Sequence, residues 1–407
     1  MLILVINAGS SSLKYQLREL NDDGTDTTDP VQASGLIERI GIPGSEIANH
    51  TEALDVVAKQ LDEILDGRSI DAAGHRVVHG GERFKAPAIV DPEVIRAIDR
   101  LAPLAPLHNP PATEGLRAIR DKWPDMPQVV IFDTSFHQTM PPEAWRYAIP
   151  DTWYINHGIR RYGFHGTSHD LVAGKTAALV GMDRAEFNGT ILHLGNGASA
   201  TAIKHGRSVD TSMGYTPLAG LVMGTRSGDV DPSIVTHLIN SHGYDAEEVD
   251  WVLNHESGLL GMTGHADMRQ VLEAADAGHR NSRLAIDVAT YRLAKYVGAY
   301  HVAVGGSHAI AFTAGIGENS APFRAKVLDR LEMLGVEYDH ALNMERTGQP
   351  RLISTADSSI AVAVVPTDEE MAIAQDTFHL IDSANAWGRG TDPGYSSHVS
   401  EPSVWRA

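Results

Sequence analysis

The chain opens with a short all-apolar run, Leu2–Ile6, a small-residue turn, Asn7-Ala-Gly-Ser-Ser-Ser12, and then Leu13-Lys-Tyr-Gln-Leu17, which alternates like a returning strand. The same order recurs at Thr190–Leu194, Gly195-Asn-Gly197 and Ala198–Lys204. This repetition constrains the fold more than any single motif, because it implies two similar halves built on one plan. Each turn can offer backbone N–H groups to phosphate; a plain hairpin is the competing reading of either turn alone. Two halves facing each other, each carrying such a turn, make a cleft suited to a nucleotide. Gly195–Ala200 also fits G-x-G-x-x-A, but a dinucleotide fingerprint should open a helix, and here the chain alternates on to His205-Gly206 as a hairpin. Gly174-Lys-Thr176 looks like the end of a Walker A loop, yet its first glycine would fall at His169 and no strand precedes it.

Around the repeats, strands and helices alternate. Leu54, Val57, Leu61 and Ile64 predict a helix over Glu52–Leu65 with Thr51 as its N-cap. Asn21–Pro30 reads as an acidic loop tip. Gly74–Gly81 is a strand running into a glycine turn, and Asp91-Pro92 opens a helix through Leu101. Leu104–Pro111 reads as a rigid proline loop before a helix over Thr113–Lys122, and Val129–Phe132 as a buried strand. Later come a long amphipathic helix over Asn281–Tyr300 and a strand at Ala309–Thr313 with a glycine turn, Ala314–Asn319. A helix over Ala321–Leu334 and a strand at Ile360–Val365 follow, the latter leading into Pro366-Thr-Asp-Glu-Glu370. Those residues open a helix to Leu380, capped by Thr367; from Ser383 the composition predicts a flexible tail.

The 407 residues carry a net charge of −19 and no cysteine. That balance argues against nucleic acid and anionic membranes as partners, and excludes thiolate chemistry and disulfides. Leu2–Ile6 is too short for a signal sequence, and no apolar run approaches a membrane span, so the reading is cytoplasmic. An acidic chain that handles anions must gather its cations locally. Arg226, in Gly-Thr-Arg-Ser-Gly-Asp, stands on a glycine-rich stretch where a guanidinium suits a carboxylate or phosphoryl group. Arg76 and His79 interrupt an apolar strand, where a structural arginine–carboxylate pair is the plainer explanation of Arg76. Asp133 ends a strand where α/β folds place ligand chemistry, with helix capping as the competing role. His165 and His169 have a metal-ligand spacing, but no HExxH glutamate or third ligand accompanies them, so zinc is not assigned.

Taken together, NAGSSSLK, GHRVVHGG, FDTSFHQTMP, RRYGFHGTSH, HLGNGAS, YTPLAGLVMGTRSGDVDP, FTAGIGEN and PTDEE resemble, in order, the acetate kinase family. The resemblance runs from about Ile3 to about Gln375. It implies an α/β fold of duplicated mixed-sheet-plus-helices domains, of the actin, Hsp70 and sugar-kinase type, around a central nucleotide cleft. On that pattern residues 1–137 with 371–382 form the first domain, and 138–370 a second, nucleotide-binding and dimerising domain. It implies reversible, Mg²⁺-dependent phosphoryl transfer from ATP to acetate, with Mn²⁺ as a possible substitute, by a homodimer. Carried over by position, Arg76, Arg226, His165 and Asp133 are catalytic, and Arg76, Val78, Leu107, Phe164 and Pro217 hold acetate. Asn7 and Glu369 bind the metal with Asp133. Lys14, His193, Gly195, Asn196, Gly197, Asp267, Met268, Arg269, Gly315, Ile316, Gly317 and Asn319 bind the nucleotide. The rivals are a kinase for propionate or butyrate and, from another class, an ATP-driven chaperone or filament protein; the latter would turn over ATP without acetate.

Overall fold

The computed structural model describes every residue except Ser10, Leu107 and 389–407, together with the side chains of 385–388. The repeated hairpin seeds two six-stranded sheets. In the first, β1 (Leu2–Ala8), β2 (Ser12–Leu20), β3 (Asp26–Glu38), β4 (Ala72–Val77), β5 (Ala88–Ile89) and β6 (Gln128–Phe132) lie in the order β3-β2-β1-β4-β6-β5. In the second, β7 (Gly189–Leu194), β8 (Ala198–Lys204), β9 (Arg207–Thr211), β10 (Ala309–Thr313), β11 (Arg351–Leu352) and β12 (Ala361–Val364) lie in the order β9-β8-β7-β10-β12-β11. The two orders are the same when β1 is matched to β7. The directions agree too: β1–β2 and β7–β8 are antiparallel, while β1–β4–β6 and β7–β10–β12 are parallel. The duplication expected from the hairpins is therefore present strand for strand.

Period-two alternation sends each central strand's side chains into two layers. Leu2, Leu4 and Ile6 pack with Leu54, Val57, Leu61 and Ile119 on one face; Ile3 and Val5 pack with Ile373, Ala374 and Phe378 on the other. In the second sheet, Leu192 and Leu194 meet Leu293 and Val297 of the long helix Arg280–Val304, and Ile191 meets Val172 and Ala173 of the helix Gly166–Leu179. Each Leu, Ile, Val or Phe side chain so buried contributes about 1.5–3 kcal/mol. The final helix, Glu369–Gly388, lies so close on β4 that any side chain at Gly74 would be driven into Thr377 and Ile373.

Several local expectations are corrected. Asp26–Pro30 belongs to β3, a largely exposed strand whose polar sequence hides it. The first helix is His50–Leu65, capped by Asn49, whose side chain accepts from Glu52 N, rather than by Thr51; Ile64 is exposed. Asn109 begins the helix that runs to Lys122, so Pro110 and Pro111 occupy its first turn, where their missing N–H groups cost nothing. Ala314–Asn319 is itself helical, and the helix that follows ends at Leu328 in a 3₁₀ segment to Leu334. Asp368, not Thr367, caps the final helix, accepting from Met371 N at 2.9 Å. That helix continues past Ser383 to Gly388, so the tail does not begin where composition placed it; 389–407 lie outside the described residues. Among the described residues, no helix is long and apolar enough to cross a membrane.

Candidate active site

The parallel strands β4 and β6 end side by side, with Val77 paired to Phe132, and deliver Arg76 and Asp133 to the same edge. Arg76 Nε donates to Asp133 Oδ1 at 2.8 Å and Nη2 donates to Oδ2 at 2.6 Å, a bidentate pair in which Asp133 is buried. The structural pairing weighed for Arg76 is thus present. Its place is the edge of the cleft, with Glu369 Oε2 3.9 Å from Nε. Burial opposes the Arg76 charge, but Asp133 and then Glu369 and Glu370 hold its pKa above the ordinary value.

Glu369 heads the final helix, where burial raises its pKa; Arg76 counters this, and Asp133 and Glu370 add to it. Glu370 pairs with Lys14 of β2, which stands opposite Asn7 in the β1–β2 register. Among the described residues no group of three or more His, Cys, Asp or Glu gathers to hold a metal. Few protein oxygens beside one another, with like charges left to offset, fit a hard cation completed by phosphate oxygens better than an all-protein cage.

From the second sheet comes Arg226. Its stretch is irregular, with no helix or strand between Thr211 and Ser233, but up to Gly228 it is buried or half-buried rather than on the surface. Backbone bonds tie Gly224 N to Asn196 O at 2.9 Å, Ser257 N to Thr225 O at 2.9 Å and Met223 N to Arg226 O at 3.2 Å. Gly224 lies against the Asn196 amide so closely that no side chain could stand there. The Arg226 guanidinium donates only weakly, to Pro217 O at 3.3 Å, and has no carboxylate within ion-pair distance among the described residues. Burial lowers its pKa. A half-buried cation without a counter-charge is costly, and an incoming anion supplies what is missing.

His165 precedes the helix Gly166–Leu179 in the left-handed region at φ 57°, uncommon for a residue with a side chain. It stacks on His193 with ring centroids 4.2 Å apart, and its Nδ1 lies 3.0 Å from Ser199 Oγ. Burial, then His193 and Arg76, hold it well below its ordinary pKa, so it is neutral at pH 7. A Cβ on Gly197 would sit 3.5 Å from both His165 Nε2 and Arg226 Nη1; the hairpin tip, the imidazole and the guanidinium therefore face one space. His193 is likewise pushed down, to about 4, by burial and then Arg76, and its Nδ1 lies 2.8 Å from Ser168 Oγ.

Of the expected nucleotide residues, Gly195, Asn196, Asp267, Met268, Arg269, Gly315, Ile316 and Asn319 line one cavity of about 690 Å³. Its walls mix the apolar Met268, Leu272, Ile316 and Pro322 with a polar rim that includes Arg346, which the sequence did not single out. Asp267 caps the helix Met268–Asp276 and is drawn down to about 2 by hydrogen bonds from Arg269. Gly317 instead packs beneath, against Phe312, while Gly197 and His193 group with His165, and Lys14 with Glu370. Val78 packs across onto the core that contains Phe164. Leu107 lies outside the described residues; Pro217 is reached through its carbonyl by Arg226. His108 was missed. Burial, then Arg76 and Arg226, lower its pKa, which places it near both arginines; a histidine before Asn-Pro-Pro was the available signal.

Two like six-stranded sheets, a cavity of about 690 Å³ and a cluster of arginine, histidine and carboxylate define an α/β protein of duplicated plan with a site suited to anionic ligands. The comparisons specify it further. A family description reading acetokinase family matches residues 2–375. An acetate kinase of Micrococcus luteus is 67% identical over 93% of this chain and 99% of its own, and one of Kocuria rhizophila is 56% identical over 94% and 98%. The crystal structure of the Porphyromonas gingivalis acetate kinase superposes with a TM-score of 0.88 at 40% identity, covering 93% of this chain and 99% of that one. A propionate kinase from Francisella tularensis gives 0.86 at 39%, over 93% and 99%. The chain belongs to the acetokinase family, and is an enzyme that transfers a phosphoryl group between ATP and a carboxylate.

Proposed function

We propose that the chain makes acetyl phosphate and ADP from acetate and Mg²⁺-bound ATP, reversibly, by in-line displacement at the cleft edge. The observation that carries this reading is Arg226, a half-buried guanidinium with no carboxylate partner among the described residues, facing the same space as His165 and Gly197. Acetate is ionised at pH 7 and needs no general base to attack. The obstacle is bringing it against a triphosphate, which cations must offset. Arg226 and Arg76 hold the carboxylate and the moving phosphoryl group, and neutral His165 donates to the phosphoryl oxygens as charge redistributes. Glu369, Asp133 and Asn7 would hold Mg²⁺ (or Mn²⁺), which, bound to the phosphates, neutralises part of their charge. The hairpin tip Gly195–Gly197 takes the phosphates and the 690 Å³ cavity the nucleoside. The first unit comprises 1–137 with 371–382, in keeping with the final helix packing on β1, β4 and β6, and the protein works in the cytoplasm. A coupled assay with acetate, propionate and butyrate side by side tests the assignment; preference for either longer acid would overturn it.

Val78, Phe164 and Pro217 face the methyl of acetate in this reading. Trimming Val78→Ala removes two methyl groups' worth of wall, and the extra methylene of propionate, worth about 0.8 kcal/mol when buried, can occupy that space, so the propionate-to-acetate ratio of kcat/KM should rise about fourfold. Acetate KM should increase with kcat less affected. A ratio unchanged within about twofold, with a lower Tm, would make Val78 a core residue only.

The long helix Arg280–Val304 keeps Leu284, Tyr291 and Val302 exposed, and Met333 stands exposed at the adjoining groove. We assign this face to a homodimer contact. Sedimentation at micromolar concentration should give about twice the 43.9 kDa chain mass; a clean monomer would refute it.

A further inference from the structure

We propose that Ser199 is a positioning residue for His165: its hydroxyl accepts from His169 Nε2–H and donates to His165 Nδ1, which leaves the His165 proton on Nε2, facing the cleft. The proposal rests on the reading of His165 as the donor to the moving phosphoryl group. Ser199 is fully buried on β8, opposite His193 in the β7–β8 register. Its Oγ lies 3.0 Å from His165 Nδ1 and 2.7 Å from His169 Nε2. The two histidines are one helical turn apart, with His169 N donating to His165 O at 3.0 Å, so both rings reach one hydroxyl.

A hydroxyl has one proton to give, and the direction of the chain decides what His165 presents. Burial holds both imidazoles neutral, helped at His169 by His137 and His193 and at His165 by His193 and Arg76. In the reverse direction His165 Nδ1–H donates to Ser199, and Ser199 donates to His169 Nε2. His169 would then carry its proton on Nδ1, a buried nitrogen with no hydrogen-bond partner among the described residues. An orphaned buried N–H is the rarer defect; a bare ring lone pair is the one the forward direction leaves there. If both rings donated into Ser199, His165 would again keep its lone pair on Nε2. Both alternatives point that lone pair at the space shared with Arg226 Nη1 and the Gly197 turn, where it would repel phosphoryl oxygens. Only the forward chain supplies a donor there.

The test uses the full chain with ¹⁵N-labelled histidine, the His165 signals being identified by their loss in His165→Gln. Nε2 of His165 should be the protonated nitrogen and Nδ1 the bare one, hydrogen-bonded in the wild type and released in Ser199→Ala. A proton on Nδ1 would overturn the proposal whether or not His165 serves catalysis. In turnover, Ser199→Ala should lower kcat about tenfold, against about 10²–10³ for His165→Ala. Both KM values should hold within about twofold, and Ser199→Thr should recover most of the loss. A wild-type kcat in Ser199→Ala would also overturn it. Normal turnover in His165→Ala would instead remove the reading of His165 while the nitrogen assignment still stood or fell by the spectrum. Should Ser199→Ala fail to fold, the wild-type spectrum and Ser199→Thr decide.

Discussion

Replacing Arg226 with alanine should cut kcat by about 10²–10³ and leave the protein as stable as before, or slightly more so. The loss follows from removing a donor aimed at charge that develops during transfer. The stability expectation is less usual and comes from the geometry. Among the described residues Arg226 has only the Pro217 carbonyl at 3.3 Å and the Met223 sulfur at 3.7 Å to compensate for leaving water. Its removal takes away a half-buried charge and leaves no carboxylate unpaired, so the folded state loses little. Arg226→Lys keeps the charge but not the planar fork, and should recover only part of the activity. Circular dichroism melts beside initial rates decide the matter: a large fall in Tm would mean the guanidinium serves the fold.

Arg76→Ala should behave differently, losing both turnover and stability. Asp133 is buried and receives two hydrogen bonds from Arg76, so deleting the guanidinium leaves a carboxylate inside the protein with no counter-charge. Breaking a buried pair from one side costs about 3–5 kcal/mol. Removing both members at once, as in Arg76→Met with Asp133→Leu, should restore most of the stability and none of the activity. Urea unfolding of the wild type, Arg76→Ala and the double mutant gives the comparison. A single mutant as stable as the wild type would show the pair to be loosely held, and turnover in the double mutant would remove both residues from the site.

How far the sequence carried this account depended on how local each signal was. A strand, a tight turn and a returning strand are written within some fifteen residues, so the hairpins β1–β2 and β7–β8, and through them the duplication, were legible. β3 was not, because its polar residues and Pro30 read as loop; it lies at a sheet edge with every side chain but Ile37 at least partly exposed, so no alternation was required of it. The two-residue strands β5 and β11 carry too little pattern to find. In the site, Arg76, Asp133, Arg226 and His165 stood out because charge or imidazole in apolar or glycine-rich company needs a reason. What joins them did not. The Arg76–Asp133 fork spans 57 residues and the His165–Ser199 contact 34, and such pairings exist only once the sheets have formed. His108 and Arg346 escaped for the same reason: their surroundings come from elsewhere in the chain.

The most direct test is ADP formation from Mg²⁺-bound ATP with and without acetate, with acetyl phosphate trapped by hydroxylamine in the same samples. Two arginines arranged for an incoming carboxylate predict that ADP appears only with acetate, in equal amount to the trapped acyl phosphate, and that Arg226→Ala lowers both together by about 10²–10³. ATP turnover that proceeds at the same rate without acetate would contradict the account.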